Sequence, residues 1–360
     1  MSGENNMRIN LKKAFFDDRE FVLVETEKMK AVAFRFSTGV EALRIENTKG
    51  YIVVLPFKGQ QIWRACFLGR ELVMGTSFKE PVPTKEYLKT YGGFLLHCGA
   101  TAMGSPGKGD SHPQHGELPN ADYDSAYLEC GEDYMEIGGC VEYNVSFVKH
   151  YAFSPVCRLG ADATLIKVDA VLENLRHRPL EYMYLCHINF NTLKNSELIY
   201  SADYKNITVH KSAWDDIPPE QAEKLLSFMD RLEEKPELHH KTGATGETYD
   251  PEILFTIHGY KGDERGFAHT MQYSSEGAYY AAHAVDTMPC AIRWIARSED
   301  EDSTAMVLPA TAEPFGYTYA KEHGQIKVLA PLDSVKFSVE VGWLDKKDAE
   351  KMKEKIEHIN

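Results

Sequence analysis

The stretch LCHINFNTL, Leu185–Leu193, alternates as a β-strand does. At a side-chain period of two, Leu185, His187, Asn189 and Asn191 share one face, and Cys186, Ile188 and Phe190 share the other. The second row is apolar and belongs against a core. The first row carries a histidine and two asparagines, which suits either a solvated sheet face or the wall of a wet, concave site.

The same alternation, rich in β-branched and aromatic residues, recurs along the chain, as in FVLVET from Phe21, GYIVVLPF from Gly50, TLIKVDAVLEN from Thr164, GAYYAAHAV from Gly277, AIRWIAR from Ala291, STAMVLPA from Ser303 and VKFSVEVGWL from Val335. Short turns such as SSEG and SEDED join these runs. Strands at roughly ten-residue spacing with few helices predict an all-β fold, a large antiparallel β-sandwich, and not a parallel α/β sheet. No linker or internal repeat divides the 360 residues, so a single domain over 1–360 is expected. Two peripheral helices interrupt the pattern. One falls in an insertion near 212–250, where Asp215, Asp216 and two prolines precede an apolar stripe of Ala222, Leu225, Met229 and Leu232. The other is C-terminal, near 346–358, with Ala349, Met352 and Ile356 as a thin stripe. The polar segment from Leu238 to Asp250, with its His239–His240 pair, reads as an exposed loop.

Composition narrows the partners. With 40 basic and 54 acidic side chains the net charge is −14, a surface that repels nucleic acid and anionic membranes. No apolar run approaches the roughly 20 residues a membrane span needs. The polar N-terminus lacks a signal-peptide core. The seven cysteines are scattered, with no C-x-x-C, and several lie in apolar runs. Reduced, buried thiols and a cytoplasmic location are the expectation.

A long segment from Gly92 to Asp124 is crowded with Gly, Pro and His and reads as a binding loop. It holds His97, His112, His115, Glu117 and Asn120. His112-x-x-His115-x-Glu117 is also a weak metal-ligand spacing, against which no metal is expected.

Three segments in order resemble the galactose mutarotase (aldose 1-epimerase) superfamily. HGELPNA (115–121) is similar to its HG…N segment, CHINFNT (186–192) to its NHxYFN strand, and MPCAIRW through KVLAP (288–331) to its closing segment. The pattern spans most of the chain from Lys49 to Leu344 and suits best a less-characterised branch known as a domain of unknown function. The resemblance implies a galactose mutarotase-like supersandwich with a sugar bound in a cleft on the sheet. It implies exchange of α and β anomers by general acid–base ring opening, with no cofactor. His187 matches the family acid and His115 the HG histidine that binds substrate, with His97 second choice. Asn189 is expected beside His187, Gln61 at the cleft edge, Glu117 among the sugar contacts and Trp294 as a stacking platform with Arg293 an exposed charge on the other face, or the reverse, since alternation lets only one of the two face the cleft. The chain departs from the family twice. The glutamate that serves as base is Leu308, before Pro309; the nearest substitute is Glu313, also followed by proline, with Glu322 and Glu117 further candidates. The aspartate of GFDH is Ala268 in GFAH, with His269 or Glu264 as the groups to compensate. A small-molecule sugar is the expected partner; the oligomeric state stays open, a homodimer included. A sugar 1-epimerase, a non-catalytic carbohydrate-binding protein and a metal-dependent enzyme are the alternatives, in that order.

Overall fold

The computed structural model describes residues 6–211, 217–244 and 246–360. Two large antiparallel sheets, of nine and thirteen strands, pack face to face as a sandwich. The six strands that carry the site, in chain order, are β1 (Ile62–Phe67), β2 (Leu95–Ala100), β3 (Leu180–Ile188), β4 (Ile253–His258), β5 (Cys290–Arg297) and β6 (Asp302–Ala310). In the larger sheet they lie side by side in the order β4-β5-β6-β3-β2-β1.

Alternation along β3 sets the two faces. Tyr184 turns inward and stacks on Phe337 of the nine-stranded sheet at 4.0 Å between ring centroids, and Phe153 of that sheet packs edge-on to His97. These contacts belong to one continuous apolar core. Burying each such ring removes roughly 150–250 Å² from water, and this burial is the main force holding the sheets together. The opposite parity, Leu185, His187 and Asn189, therefore looks out of the sandwich. Register extends the outer face sideways. Leu185 pairs with Cys98 on β2 and with Ala310 on β6, and His187 pairs with Leu96. Counting two residues on from the Leu185–Ala310 pair brings Leu308 level with His187.

β2 lies inside the segment expected to be irregular. Its sequence, LLHCGA, is buried on both faces, so no polar row marks it as a strand.

Three helices flank the sheets: α1 (Pro219–Glu234), α2 (Gly316–Glu322) and α3 (Lys346–Ile359). α1 buries Leu225, Phe228, Met229 and Leu232; Asp215 and Asp216 lie outside the described residues. α3 is capped by Asp345, whose side chain accepts from Asp348 N at 2.9 Å, a device contributing about 1 kcal/mol. It lays Ala349 and Ile356 on the outer face of the nine-stranded sheet. α2 follows β6 and had no sequence signal beyond seven residues of mixed polarity. No helix among the described residues is long and apolar enough to cross a membrane. All seven cysteines are free thiols.

The His239–His240 segment corrects its reading as an exposed loop. Both rings are buried in a 3-10 turn over Pro236–His240. His239 stacks on Phe255 at 4.4 Å, and His240 Nε2 lies 3.0 Å from the Tyr200 hydroxyl. A histidine ring is an amphipathic disc, and here it fills a space between aromatic side chains.

Candidate functional site

On the outer face of β3, His187 sits under a ring of aromatic side chains. Tyr91 meets it edge to face at 5.8 Å, His115 at 5.3 Å and Trp294 at 6.0 Å. Tyr87 lies behind, 4.7 Å from His115 and 5.1 Å from Tyr91. Tyr91, His115 and Trp294 are partly exposed, whereas His187 and Tyr87 are buried.

The neighbours arrive from three elements, and each is held. Tyr87 and Tyr91 ride on a 3-10 turn over Tyr87–Thr90. Its exit is pinned by Arg64 of β1, which donates to Gly92 O at 2.7 Å and Phe78 O at 3.0 Å. His115 comes from the long loop. His115 O accepts from Gly99 N at 2.9 Å, and His115 N donates to Gly104 O at 2.9 Å. Its φ is +59°, uncommon for a residue with a side chain and of the kind that clusters at functional sites. The following Gly116 has φ +78°, and a Cβ there would stand 2.3 Å from Ala102 O and 2.4 Å from Gly99 O. The HG pair is thus a backbone requirement: the glycine lets the loop close onto β2 and aims the histidine at His187. Trp294 follows a register shift on β5 between Ile292 and Trp294.

Buried polar atoms are almost always hydrogen-bonded. Here, His187 Nδ1, His115 Nδ1 and the Tyr87 hydroxyl are buried with no hydrogen-bond partner among the described residues. His187 Nε2 lies 3.5 Å from the Tyr91 hydroxyl. That hydroxyl donates to Asn189 Oδ1 at 3.1 Å, and Asn189 Nδ2 donates to Gly93 O at 2.9 Å. Burial lowers the His187 pKa to about 4 and pushes His115 well below the usual range, so both rings are neutral at pH 7. Burial, and then the charge of Glu252, hold Tyr91 well above 10; Tyr87 is raised well above 10 by burial, with smaller contributions from its neighbours. The cluster therefore combines neutral imidazole acceptors with phenols that keep their protons.

Glu252 had no sequence signal. It sits at the foot of β4 and accepts a hydrogen bond from Trp294 Nε1. Only the pairing of Leu254 with Trp294 across β4 and β5 brings this carboxylate to the site.

The remaining candidates fall elsewhere. His97 pairs with Cys186 and takes the inner parity of β2. It bonds the Tyr184 hydroxyl at 2.7 Å, and burial lowers its pKa to about 3. It belongs to the core, on the face of the sheet opposite to His187. Gln61 is fully buried and donates to Pro119 O and Asn120 Oδ1, fastening the loop under the site and not edging the cleft. Glu117 turns from His115 to accept from Tyr151 OH at 2.6 Å and Thr101 Oγ1 at 2.9 Å. No group of three metal-ligating side chains is gathered among the described residues. Beside these residues a groove of about 410 Å³ runs between Tyr87, Glu117, Asn120, Tyr143 and Lys85.

Glu313 lies on the same outer face, three residues past the Ala310–Leu185 pair, but does not swing back to His187. It accepts from His258 Nε2 at 2.9 Å, Tyr319 OH at 2.7 Å and Gln325 Nε2 at 3.2 Å. The His258 hydrogen bond leads in lowering its pKa to about 2. Glu322 is exposed on α2. GFAH lies in the nine-stranded sheet, where His269 bonds the Tyr280 hydroxyl at 2.7 Å and Asp263 at 3.2 Å. Neither His269 nor the exposed Glu264 reaches the cleft. Trp294 faces the site, but Arg293 is not an exposed charge. It is fully buried, donating to Met306 O at 2.9 Å and bonded to His239 at 2.6 Å, with its guanidinium over the Tyr200 ring.

Residues 37–203 match the family model described as a domain of unknown function, DUF4432. No curated protein matches the chain in sequence. In structure the chain is similar to a candidate aldose 1-epimerase from Klebsiella pneumoniae subsp. pneumoniae, at a TM-score of 0.81 and 17% identity over 99% of this chain and 96% of that one. It is also similar to a galactose mutarotase-like protein from Clostridium acetobutylicum, at 0.59 and 13% identity over 89% and 100%. A candidate mutarotase from Salmonella typhimurium gives 0.55 and 10% identity over 91% and 97%. The chain thus has the fold of galactose mutarotase-like proteins, and nearly half of it matches the model of a family whose function is not defined.

Proposed function

We propose that the protein binds a free sugar over His187 and speeds exchange between its anomers. The observation that carries this reading is the cluster of three unpartnered buried atoms, His187 Nδ1, His115 Nδ1 and the Tyr87 hydroxyl, under an aromatic rim. A sugar supplies what such a cluster lacks: several hydroxyls that both donate and accept, and an apolar face for Trp294 or Tyr91.

Ring opening needs one group to take the anomeric hydroxyl proton and one to give a proton to the ring oxygen. With the family glutamate replaced by buried Leu308, and Glu313 occupied by His258, no carboxylate beside His187 on β6 fills the first role. Neutral His187 does. As an acceptor of pKa about 4 it is as basic as an ordinary carboxylate. The Tyr87 phenol, still protonated, gives to the ring oxygen. The C1–O5 electron pair leaves to O5 as the O1–H bond breaks, and O1–C1 becomes the carbonyl. Rotation about C1–C2 and reversal of both transfers close the other anomer. His187 is therefore the acceptor in this reading, the reverse of the acid role the family pattern implies, because burial keeps it neutral.

NMR exchange between α and β anomers, across free aldoses, acidic sugars and sugar phosphates, tests the proposal. Saturable acceleration for one sugar class, lost in His187→Ala, is expected. Unchanged acceleration in that variant overturns the assignment. Leu308 in the glutamate position favours a second reading, a carbohydrate-binding protein without catalysis, for which calorimetry would record sugar binding and the NMR experiment no acceleration.

A further inference from the structure

The free nitrogen of His187 ends a chain of donors fixed by the backbone. Asn189 gives its amide hydrogen to Gly93 O at 2.9 Å, so its Oδ1 turns to Tyr91 and accepts the phenol hydrogen at 3.1 Å. A hydroxyl whose only hydrogen is committed offers lone pairs to its other neighbours. The Tyr91 oxygen stands 3.5 Å from His187 Nε2, which must then be the N–H. A neutral imidazole has one such hydrogen, and Nδ1, which no described protein group meets, carries the lone pair.

We infer that Tyr91 and Asn189 are positioning residues that hold His187 in its Nε2–H tautomer and make Nδ1 the atom that takes the anomeric proton. The second half rests on the anomer exchange proposed above; the tautomer does not. In the step itself the substrate O1–H bond breaks and an Nδ1–H bond forms. The imidazolium so made keeps its Nε2–H on Tyr91, and the ring oxygen takes its proton from Tyr87. Ring closure returns both. Without the chain the imidazole would divide between two tautomers, and the fraction with hydrogen on Nδ1 could not accept.

Imidazole nitrogen shifts of the whole protein labelled with ¹⁵N-histidine decide this, with His187→Gln identifying the His187 signals. At pH 7 the wild type is expected to show a protonated Nε2 and a bare Nδ1. Tyr91→Phe and Asn189→Leu should mix the tautomers and lower kcat at least tenfold with KM within twofold. A wild-type Nδ1–H tautomer, or one unmoved in Tyr91→Phe, overturns the positioning role. Failure of the wild type to exchange any sugar while the shifts behave as expected overturns the role of Nδ1 in proton transfer and the proposed function with it, and leaves the tautomer assignment supported.

Discussion

Two histidines stand on the same outer face of the larger sheet, and their surroundings are opposite. His258, at the end of β4, meets Glu313 at 2.9 Å, and Tyr319 and Gln325 complete the carboxylate's hydrogen bonds. His187, on β3, is ringed by Tyr87, Tyr91, His115 and Trp294, and three polar atoms of that ring have no partner among the described residues. A cluster that satisfies itself has spent its hydrogen-bonding capacity on the fold. A cluster that does not is stabilised only when something else supplies the missing bonds, since each unmet buried group costs about 1–3 kcal/mol. Sequence marks one member of each cluster, His187 by its family motif and Glu313-Pro314 as the substitute glutamate, while Tyr87, Tyr91, Glu252 and His258 carry no signal.

The sharpest way to break this contrast is to delete each histidine in turn. His187→Gln should lower sugar exchange by about 10²–10⁴-fold, the usual worth of a positioned proton-transfer group. His258→Gln should leave exchange within about twofold, the scatter expected of a surface substitution away from the chemistry. Equal losses in the two variants, read by the same NMR exchange measurement, would place Glu313 and His258 in the reaction.

The acid limb of stability separates the same two environments. Burial lowers His187 and His269 to about 4 and His97, His240 and His283 to about 3. Their unfolded values lie near about 6.5. Below that pH the unfolded chain binds more protons than the folded one, so stability falls as pH drops from about 6.5 towards 4, by up to about 1.4 kcal/mol per pH unit for each histidine. Glu313 acts lower down: its depressed pKa of about 2 gives stability that is present above its unfolded value near about 4.3 and lost as pH falls through 2. Urea midpoints at pH 7, 5.5 and 4.5 should decline steadily, and His97→Phe should flatten that decline. A midpoint constant over this range would show that the histidines titrate normally.

How much of this was legible in the chain follows from period. Leu185 to Phe190 alternate cleanly because one face meets the core and the other a cluster of aromatic rings, so strand, parity and His187 could all be read. β2 could not, since both its faces are buried and LLHCGA shows no period. His97 was misplaced for the same reason: with no polar row to set parity, it looked like part of a loop. The HG pair was legible as a motif, while its cause, a left-handed turn that admits no Cβ at Gly116, appears only in three dimensions. Arg293 and the His239–His240 pair were misread because charge and polarity were taken as exposure, whereas aromatic faces can bury both. Glu252 lies more than forty residues from Trp294 and is joined to it only through the pairing of β4 with β5.

Glu313→Gln tests the self-satisfied cluster by itself. The amide keeps the shape but loses the charge that His258 answers, and one of its oxygens becomes a donor facing Tyr319 and Gln325. We expect a loss of about 1–3 kcal/mol in urea unfolding with unaltered sugar exchange. The hydrogen bond to Glu313, and then its charge, raise the pKa of His258, so the His258 titration followed by NMR should move down in the variant. A silent His258 would mean the pair is not formed in solution.

The smallest effect concerns the rim. Trp294 offers two things, a ring 5.8 Å from Tyr91 and an N–H given to Glu252. Trp294→Phe removes the second and keeps most of the first; Trp294→Leu removes the ring. If the ring is the sugar's platform, Phe should weaken binding by less than about threefold and Leu by about tenfold, in line with the 0.5–1.5 kcal/mol of an aromatic contact. If instead Trp294 matters because it orients the Glu252 carboxylate towards the substrate, Phe and Leu should be equally damaging, and Glu252→Gln should weaken binding as they do. Calorimetric titration of the three variants with the sugar found by NMR exchange separates these outcomes. In the second case the unsatisfied cluster around His187 has a charged wall as well as an aromatic one, which favours sugars that present hydroxyls, and not carboxylates or phosphates, on that side.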